Sequence, residues 1–446
     1  MKLKLLSLIR LQFTSGHERS LNVKRNILYS FSLKGISILI SLMIVPVTLN
    51  YLKAEEYGIW LTLSSLLGWI AFFDIGLGNG LRNKLTETIA ARDFDKGRIY
   101  VSTTFALLII ITITIFIVFN IFFPFINWTK IFNTNTIQNS ALGKIVFITF
   151  AFICLQFIFK TISIIYLSYQ RSAISDLLNV ISSAISLIII YILTLSTSGS
   201  LLFVAATFSA APVFVFITMY FIVFNSSYKE LKPSIKSIKF MYTKDLLGLG
   251  IQFFIIQIAS VVVFLTSNII ITQFCGPDQV TVYNIAYKYF SIVVMLFTIF
   301  LSPLWNAYTE AYKKGDMQWI KNTLRRILQI WIFIVLATLI MLIISPLVYK
   351  LWIGNTIIIP FRLSLACFLY VSIYNWNLIT SYFLYGVGKI RVLLYISIVS
   401  SLLFFPIAIF LIKSYGIEGI LYAMTISLAL GAVIQPIQTY KIITNR

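Results

Sequence analysis

The chain has 446 residues, of which 59% are hydrophobic and only 11% charged, and its mean hydropathy of +0.94 lies far above that of soluble domains. Twelve spans of about 20 to 25 residues each would use most of its length, which excludes a large extramembrane enzyme module. The net charge of +21, a nucleic-acid signal in a soluble protein, reads here as membrane topology.

Residues 1–25 interleave Leu5, Leu6, Leu8 and Ile9 with Lys2, Lys4 and Arg10. They are expected to form a cytoplasmic segment, as a short helix on the lipid surface or a disordered tail, without the cleavage site of a signal peptide. Apolar runs follow at 26–51, 57–79, 100–125, 142–168, 177–198 and 201–225, a six-helix N-lobe over 26–225. Residues 226–245 are polar and basic around Pro233, the composition of a cytoplasmic inter-lobe linker. The pattern resumes at 246–274, 280–306, 327–352, 360–385, 393–413 and 417–440, a C-lobe over 246–440, with 441–446 as a cytoplasmic tail. The expected fold is an all-α polytopic membrane protein of twelve transmembrane helices in two pseudo-symmetric six-helix lobes. Alternate connections gather 26 of the 35 Lys and Arg residues, so both termini are expected to be cytoplasmic.

Sliding the chain on itself by 223 residues places Leu81 on Leu304, Asn83 on Asn306, Thr86 on Thr309, Glu87 on Glu310 and Asp93 on Asp316, and the turn AEEYGIW from Ala54 on PDQVTVY from Pro277. One six-helix unit is thus used twice in the same orientation. Transporters with that symmetry hold substrate between their halves near the midplane.

Catalytic chemistry has little to work with. His17 is the single histidine, and Cys154, Cys275 and Cys367 lie far apart, which removes zinc clusters, Ser-His-Asp triads and disulfide frameworks. No metal and no cofactor are expected. A charge inside hydrocarbon costs about 2.5 to 3.5 kcal/mol on insertion scales, so the few that remain are candidates for function. Lys34 in the first span, Lys288 in the eighth and Lys160 in the fourth would make a cationic cavity suited to a phosphate-bearing headgroup; snorkelling to the interface is the competing reading. Asp74 near the inner end of the second span is a candidate to pair with a lobe lysine or Arg82 or to take part in ion coupling, with a hydrated helix end as the competing reading. Gly76, Gly78 and Gly80 could unwind that end and present N–H groups to phosphate, or permit close packing. Asn79, Arg82, Asn83 and Glu87, with Asn306 and Glu310 in the second copy, form a cytoplasmic element expected either to gate the inner side or to be a solvated face. Among the aromatic residues, Trp305 and Tyr374 are candidates to stack on sugars.

The stretch DIGLGNGLRNKLTETIAARDFDKGRIYVSTTF (residues 74–105), the early AEEYGIW turn, the length and the span count resemble Wzx-type O-antigen and polysaccharide flippases of the multidrug/oligosaccharidyl-lipid/polysaccharide (MOP) exporter superfamily, with its MATE-like fold. The resemblance implies a bacterial inner-membrane protein that moves an undecaprenyl-diphosphate-linked oligosaccharide from the cytoplasmic to the periplasmic leaflet by alternating access. It implies membrane lipid around the polyprenyl tail, a lateral opening involving helices 1 and 8, and as partners a polysaccharide polymerase and a chain-length regulator, with no nucleic acid. It also implies an ion gradient or membrane potential as the energy source, in agreement with the absence of a G-x-x-x-x-G-K-[ST] loop. A multidrug cation exporter of the same superfamily is the alternative, disfavoured by lysines where acids are expected. A membrane glycan polymerase fits less well, because the longest outward loop, 126–141, contains no Asp, Glu, His or Arg. A scaffold role would leave the intramembrane lysines without a reason.

Overall fold

The computed structural model describes residues 18–73, 76–169, 171–247, 250–355, 357–389 and 391–444; the side chains of some helical positions, among them Asn306 and Glu310, also lie outside the description. The described chain is helical. In order, the α-helices are α1 Glu18–Tyr51, α2 Ala54–Gly68, α3 Leu77–Ala91, α4 Phe94–Phe122, α5 Trp128–Phe132, α6 Asn139–Phe159, α7 Thr161–Ser168, α8 Ser172–Ser196, α9 Leu201–Asn225, α10 Thr243–Leu247, α11 Gly250–Cys275, α12 Pro277–Lys314, α13 Met317–Ile353, α14 Phe361–Gly386, α15 Arg391–Tyr415 and α16 Glu418–Thr444. Among the described residues ten helical segments are long and apolar enough to cross a membrane.

The run expected to cross at 57–79 is not one helix. α2 ends at Gly68, a 3-10 turn follows at Trp69–Phe72, and α3 starts after Gly76 at φ +83°, a left-handed backbone that glycine adopts without steric cost. The fourth run also divides, at Lys160, where the Ser163 N–H reaches the Lys160 carbonyl at 2.9 Å and α-helical bonding gives way to a tighter turn.

Contacts divide the chain into two compact units that do not follow the order of the sequence: Met1–Tyr51, Ile70–Ile126 and Gly143–Phe253 make the first, and Leu52–Trp69, Asn127–Leu142 and Phe254–Arg446 the second. In the first, α1 lies along α8, α8 on α9, and α3 against α4 and α7. Leu77, Leu81 and Leu85 recur at helical spacing on α3 and enter a core with Tyr100, Val101, Phe105, Ile162, Ile165, Phe216 and Leu246. The polar residues between them face outward, as on any amphipathic helix. Gly80 meets the Leu246 carbonyl so closely that a Cβ there would stand 1.7 Å from the oxygen.

In the second unit α14 packs on α12, α13 and α16, α15 on α16, and α2 on α12. Its core joins Phe297, Leu301, Tyr308, Ile379, Phe383 and Leu384. Hydrophobic attraction between helices is weak in lipid, so close packing and hydrogen bonds carry more of the association. Both are present where α2 meets α11 and α12. A Cβ on Gly58 would fall 1.6 Å from the Pro277 carbonyl oxygen, and the Thr281 hydroxyl donates to the Ala54 carbonyl at 2.6 Å. The hydroxyls of Thr62 and Thr272 bond at 2.6 Å, Asn268 donates to Ser65 at 2.7 Å, and Asn284 donates to Asn268 at 2.9 Å. Asn133, just beyond α5, donates to the Thr272 carbonyl, and the Thr134 and Thr136 hydroxyls donate to Glu55. Outward faces are apolar instead: Phe333, Ile340, Leu347 and Leu351 line exposed positions of α13, suited to acyl chains.

Candidate functional site

The three lysines expected to line a cationic cavity are distributed over both units. Lys34, on α1, and Lys160, at the α6–α7 break, belong to the first unit and are exposed; Lys288, on α12, belongs to the second and is half-buried. Neighbouring Tyr289 donates to the Met341 carbonyl at 3.1 Å, which anchors this part of α12 on α13. The one ion pair among the described residues is Lys84–Glu87, at 2.9 Å, so no described carboxylate stands within ion-pair distance of these lysines.

On α3 the residues Asn79, Arg82, Asn83 and Glu87 are exposed on the face opposite Leu77, Leu81 and Leu85. The hydrogen bond from Lys84 to Glu87 holds the Lys84 pKa above its usual value, and binds Glu87 to its own helix rather than to a distant cation. Asn306 and Glu310 lie on α12, but their side chains, like Asp74 as a whole, are outside the described residues.

The duplicated element is a helix corner. α3 closes on Arg92 at φ +56° and α12 on Gly315 at φ +76°. After the first, Asp93 N–H bonds to the Thr88 carbonyl at 2.9 Å; after the second, Asp316 N–H bonds to the Ala311 carbonyl at 2.9 Å. Each aspartate then caps the next helix, Asp93 accepting from the Lys96 N–H and Asp316 from the Trp319 N–H, both at 3.0 Å. These are left-handed terminations followed by N-caps, matched residue for residue at the 223-residue offset. Earlier in each helix, the Thr86 hydroxyl, whose shorter bond is to the Arg82 carbonyl at 2.7 Å, lies 3.3 Å from the Ser168 carbonyl, and Thr309 donates to the Gly386 carbonyl at 2.7 Å, so each corner abuts the end of another helix in its own unit.

Sequence reasoning missed a cavity of about 160 Å³ among α14, α15 and α16, closed at one side by Val263 of α11. Tyr370, Tyr374, Asn377, Ser381 and Tyr385 project from α14 at spacings of three and four, the stripe of one helix face. Ser397, Ser400 and Ser401 come from α15, and Ser427, Gly431 and Gln435 from α16. The Gln435 carbonyl oxygen accepts from Thr380 and Ser381, each at 2.9 Å. Asn377 donates to the Ile373 and Leu428 carbonyls at 3.1 and 3.3 Å, while its Oδ1, in a side chain 6% exposed, accepts no hydrogen bond. Trp305 stacks on Tyr385, centroids 4.9 Å apart at 17°. Of the two aromatic residues singled out from the sequence, Tyr374 lines the cavity and Trp305 backs one of its walls. The signal that could have found the rest was the i, i+4, i+8 recurrence of Ser427, Gly431 and Gln435 within an otherwise apolar run.

Comparison with known proteins agrees in family and fold. The family described as polysaccharide biosynthesis protein matches residues 23–304. A Yersinia pseudotuberculosis protein named for O-antigen export is 24% identical over 80% of this chain and 81% of its own length, and a Salmonella typhi protein named as an O-antigen transporter is 26% identical over 88% and 89%. Among solved structures, an inward-facing multidrug resistance MATE family transporter of the MOP superfamily superposes with a TM-score of 0.76 at 15% identity, covering 93% of this chain and 98% of that one. A MOP superfamily transporter from Pyrococcus furiosus gives 0.65 at 16% identity over 97% and 98%. At such identities the structural likeness establishes the fold.

Proposed function

The chain belongs to the polysaccharide biosynthesis protein family, and from that premise we propose that it is a flippase carrying an undecaprenyl-diphosphate-linked oligosaccharide from the cytoplasmic to the periplasmic leaflet of a bacterial inner membrane. Relatives matched over four fifths or more of their length are named for O-antigen export or transport. Such a cargo presents a diphosphate, a neutral or weakly charged glycan and a polyprenyl tail. The protein must therefore supply cationic groups, a hydrated polar path and an opening to lipid.

The observation that carries the reading is the sign of the charges inside the spans, the described acids of the spanning helices, Asp95, Asp176, Asp278 and Glu418, standing within the first five residues of theirs. Lys34, Lys160 and Lys288 stand inside the spans without a described acidic partner, and the cavity in the second unit is lined by no carboxylate. A cation exporter needs the reverse. In this reading Lys34 and Lys288 receive the diphosphate as point charges that tolerate a moving ligand, and Lys160 is an auxiliary contact. The segments around Asn79, Arg82, Asn83, Glu87, Asn306 and Glu310 gate the cytoplasmic side, and Asp74 takes part in ion coupling. In this reading the chain crosses the membrane twelve times in two six-helix lobes, and the gathering of basic residues in alternate loops supports cytoplasmic termini. A polysaccharide polymerase and a chain-length regulator would act on the delivered product.

Reconstitution tests this directly. A fluorescent undecaprenyl-diphosphate oligosaccharide is incorporated into proteoliposomes, and its transfer between leaflets is followed under an imposed ion gradient. The wild type is expected to move it, and the Lys34→Ala, Lys288→Ala double variant to lose about tenfold or more, as expected when a desolvated charge contact is removed. Transport of a cationic dye with no movement of any lipid-linked glycan would replace this reading with drug export.

A further inference from the structure

We propose that the cavity among α14, α15 and α16 is a subsite for one neutral pyranose ring of the cargo glycan; this rests on the flippase reading. The lining contains no Asp, Glu, Lys, Arg or His. A diphosphate placed there would remain an uncompensated dianion, and a hard cation would find no charged oxygen ligand. What the lining offers is neutral and mixed: tyrosine rings, amides and hydroxyls. That combination suits a sugar, whose C–H face lies on an aromatic ring while its hydroxyls both donate and accept.

Two observations point to a ligand. The first is Asn377 Oδ1, an acceptor on a side chain 6% exposed that receives no hydrogen bond from the protein. An unmet carbonyl at membrane depth is costly, and a sugar hydroxyl is the donor that would meet it once a small turn of the amide brings the covered Oδ1 to the cavity. The second is the close fit of Gly431 beside it. At Gly431 a Cβ would come within 2.6 Å of Asn377 Oδ1 and 2.9 Å of Gln435 Nε2, so any larger residue would press on the two amides that face the cavity. A volume of about 160 Å³ is room for several ordered waters and matches a single ring in scale. The cavity would thus read one residue of the glycan while the diphosphate is held by the lysines.

The test uses the full-length protein in lipid nanodiscs. Saturation-transfer NMR is recorded with methyl pyranosides of glucose, galactose, mannose, rhamnose and N-acetylglucosamine, irradiating the aromatic protons. At least one pyranoside is expected to take up saturation from the wild type. That signal should fall about tenfold in Gly431→Ala and in Asn377→Leu, the loss of one or two buried hydrogen bonds. Phe333→Ala, on the exposed face of α13 and outside the cavity, should keep it. Melting curves of each variant confirm folding, and a variant that fails to fold is replaced by Ser397→Val, which narrows the opposite wall. No saturation of any pyranoside, or equal saturation in the cavity variants, overturns the subsite. So does a sodium-dependent thermal shift that requires Asn377 while no sugar binds. Proteoliposome transfer separates the two readings. Wild type and cavity variants that move lipid-linked glycan equally well would sink the subsite and leave the flippase standing, whereas a wild type that moves none would sink the flippase.

Discussion

A single methyl group decides the packing at several points of this protein. Gly80 is the sharpest case in the first unit, since a Cβ would stand 1.7 Å from the Leu246 carbonyl oxygen, a backbone atom that cannot rotate away. Gly80→Ala is expected to force α3 off α10 at a cost of about 1 to 3 kcal/mol, the usual range for overpacking, and to lower the melting temperature in detergent; an unchanged melting temperature would show that the two helices have slack. The opposite holds for Glu87. Its bond to Lys84 is exposed, and Glu87→Gln should alter stability by less than about 0.5 kcal/mol, in the range of surface helix pairs. What little the pair adds is present below the ordinary lysine pKa and fades as pH rises through the raised Lys84 value. A large loss of transport in Glu87→Gln with unchanged melting would then report gating rather than folding. The positions of Lys34, Lys160 and Lys288 within their spans were legible in the sequence, because a charge in an apolar run cannot be missed. Their surroundings were not. The helices that carry them are apolar on nearly every face, so periodicity does not say which side meets protein and which meets lipid.

Local rules explain the elements more completely. The same corner ends α3 and α12, yet one copy places Arg92 at φ +56° where the other has Gly315 at +76°. A left-handed backbone costs an ordinary residue roughly 1 to 2 kcal/mol and glycine almost nothing. Arg92→Gly is therefore expected to raise the melting temperature, and Gly315→Arg to lower it, each by an amount equivalent to about 1 kcal/mol. Removing the following cap, as Asp93→Ala or Asp316→Ala, should cost about 1 kcal/mol at either site; a large effect at one and none at the other would mean that the two corners are not equivalent. The sequence alignment at 223 residues already paired these aspartates, since short polar caps between long apolar runs stand out. The sequence also marked Gly76, Gly78 and Gly80 as an unwound helix end or a close contact, and the structure divides them: Gly76 precedes α3 at φ +83°, whereas Gly80 lies within α3 against the Leu246 carbonyl. The sequence did not separate α2 from α3, because the 3-10 turn at Trp69–Phe72 is built from residues as apolar as their neighbours. The cavity between α14, α15 and α16 escaped for a related reason: serine and tyrosine are common in membrane helices, and only their convergence from three helices makes a site.

At the scale of the molecule, the 223-residue correspondence relates the two sides of the contact between α2 and α12. Ala54 and Pro277 are equivalent positions, as are Gly58 and Thr281. In the structure Thr281 bonds to the Ala54 carbonyl while Gly58 rests on the Pro277 carbonyl. Each residue thus meets the counterpart of the other, the self-complementary contact that two like elements make about a two-fold axis. Thr62 with Thr272, and Ser65 with Asn268, extend the seam by hydrogen bonds that are worth about 0.6 kcal/mol each on average in membrane proteins. A seam of small residues and single hydroxyl contacts is tight but cheap to part, which under the proposed flippase reading makes it a candidate moving boundary of the alternating-access cycle. Cysteines at its centre test whether it does. With Cys154, Cys275 and Cys367 replaced by alanine, Thr62→Cys and Thr272→Cys place their sulfur atoms where two oxygens now stand 2.6 Å apart, close enough for a disulfide with small adjustment. Oxidation is expected to lower translocation of lipid-linked glycan by about tenfold or more, because one conformation can no longer be reached, and a reductant should restore it. Full translocation with the disulfide formed would show that α2 and α11 stay joined throughout the cycle, and the moving boundary would then lie elsewhere.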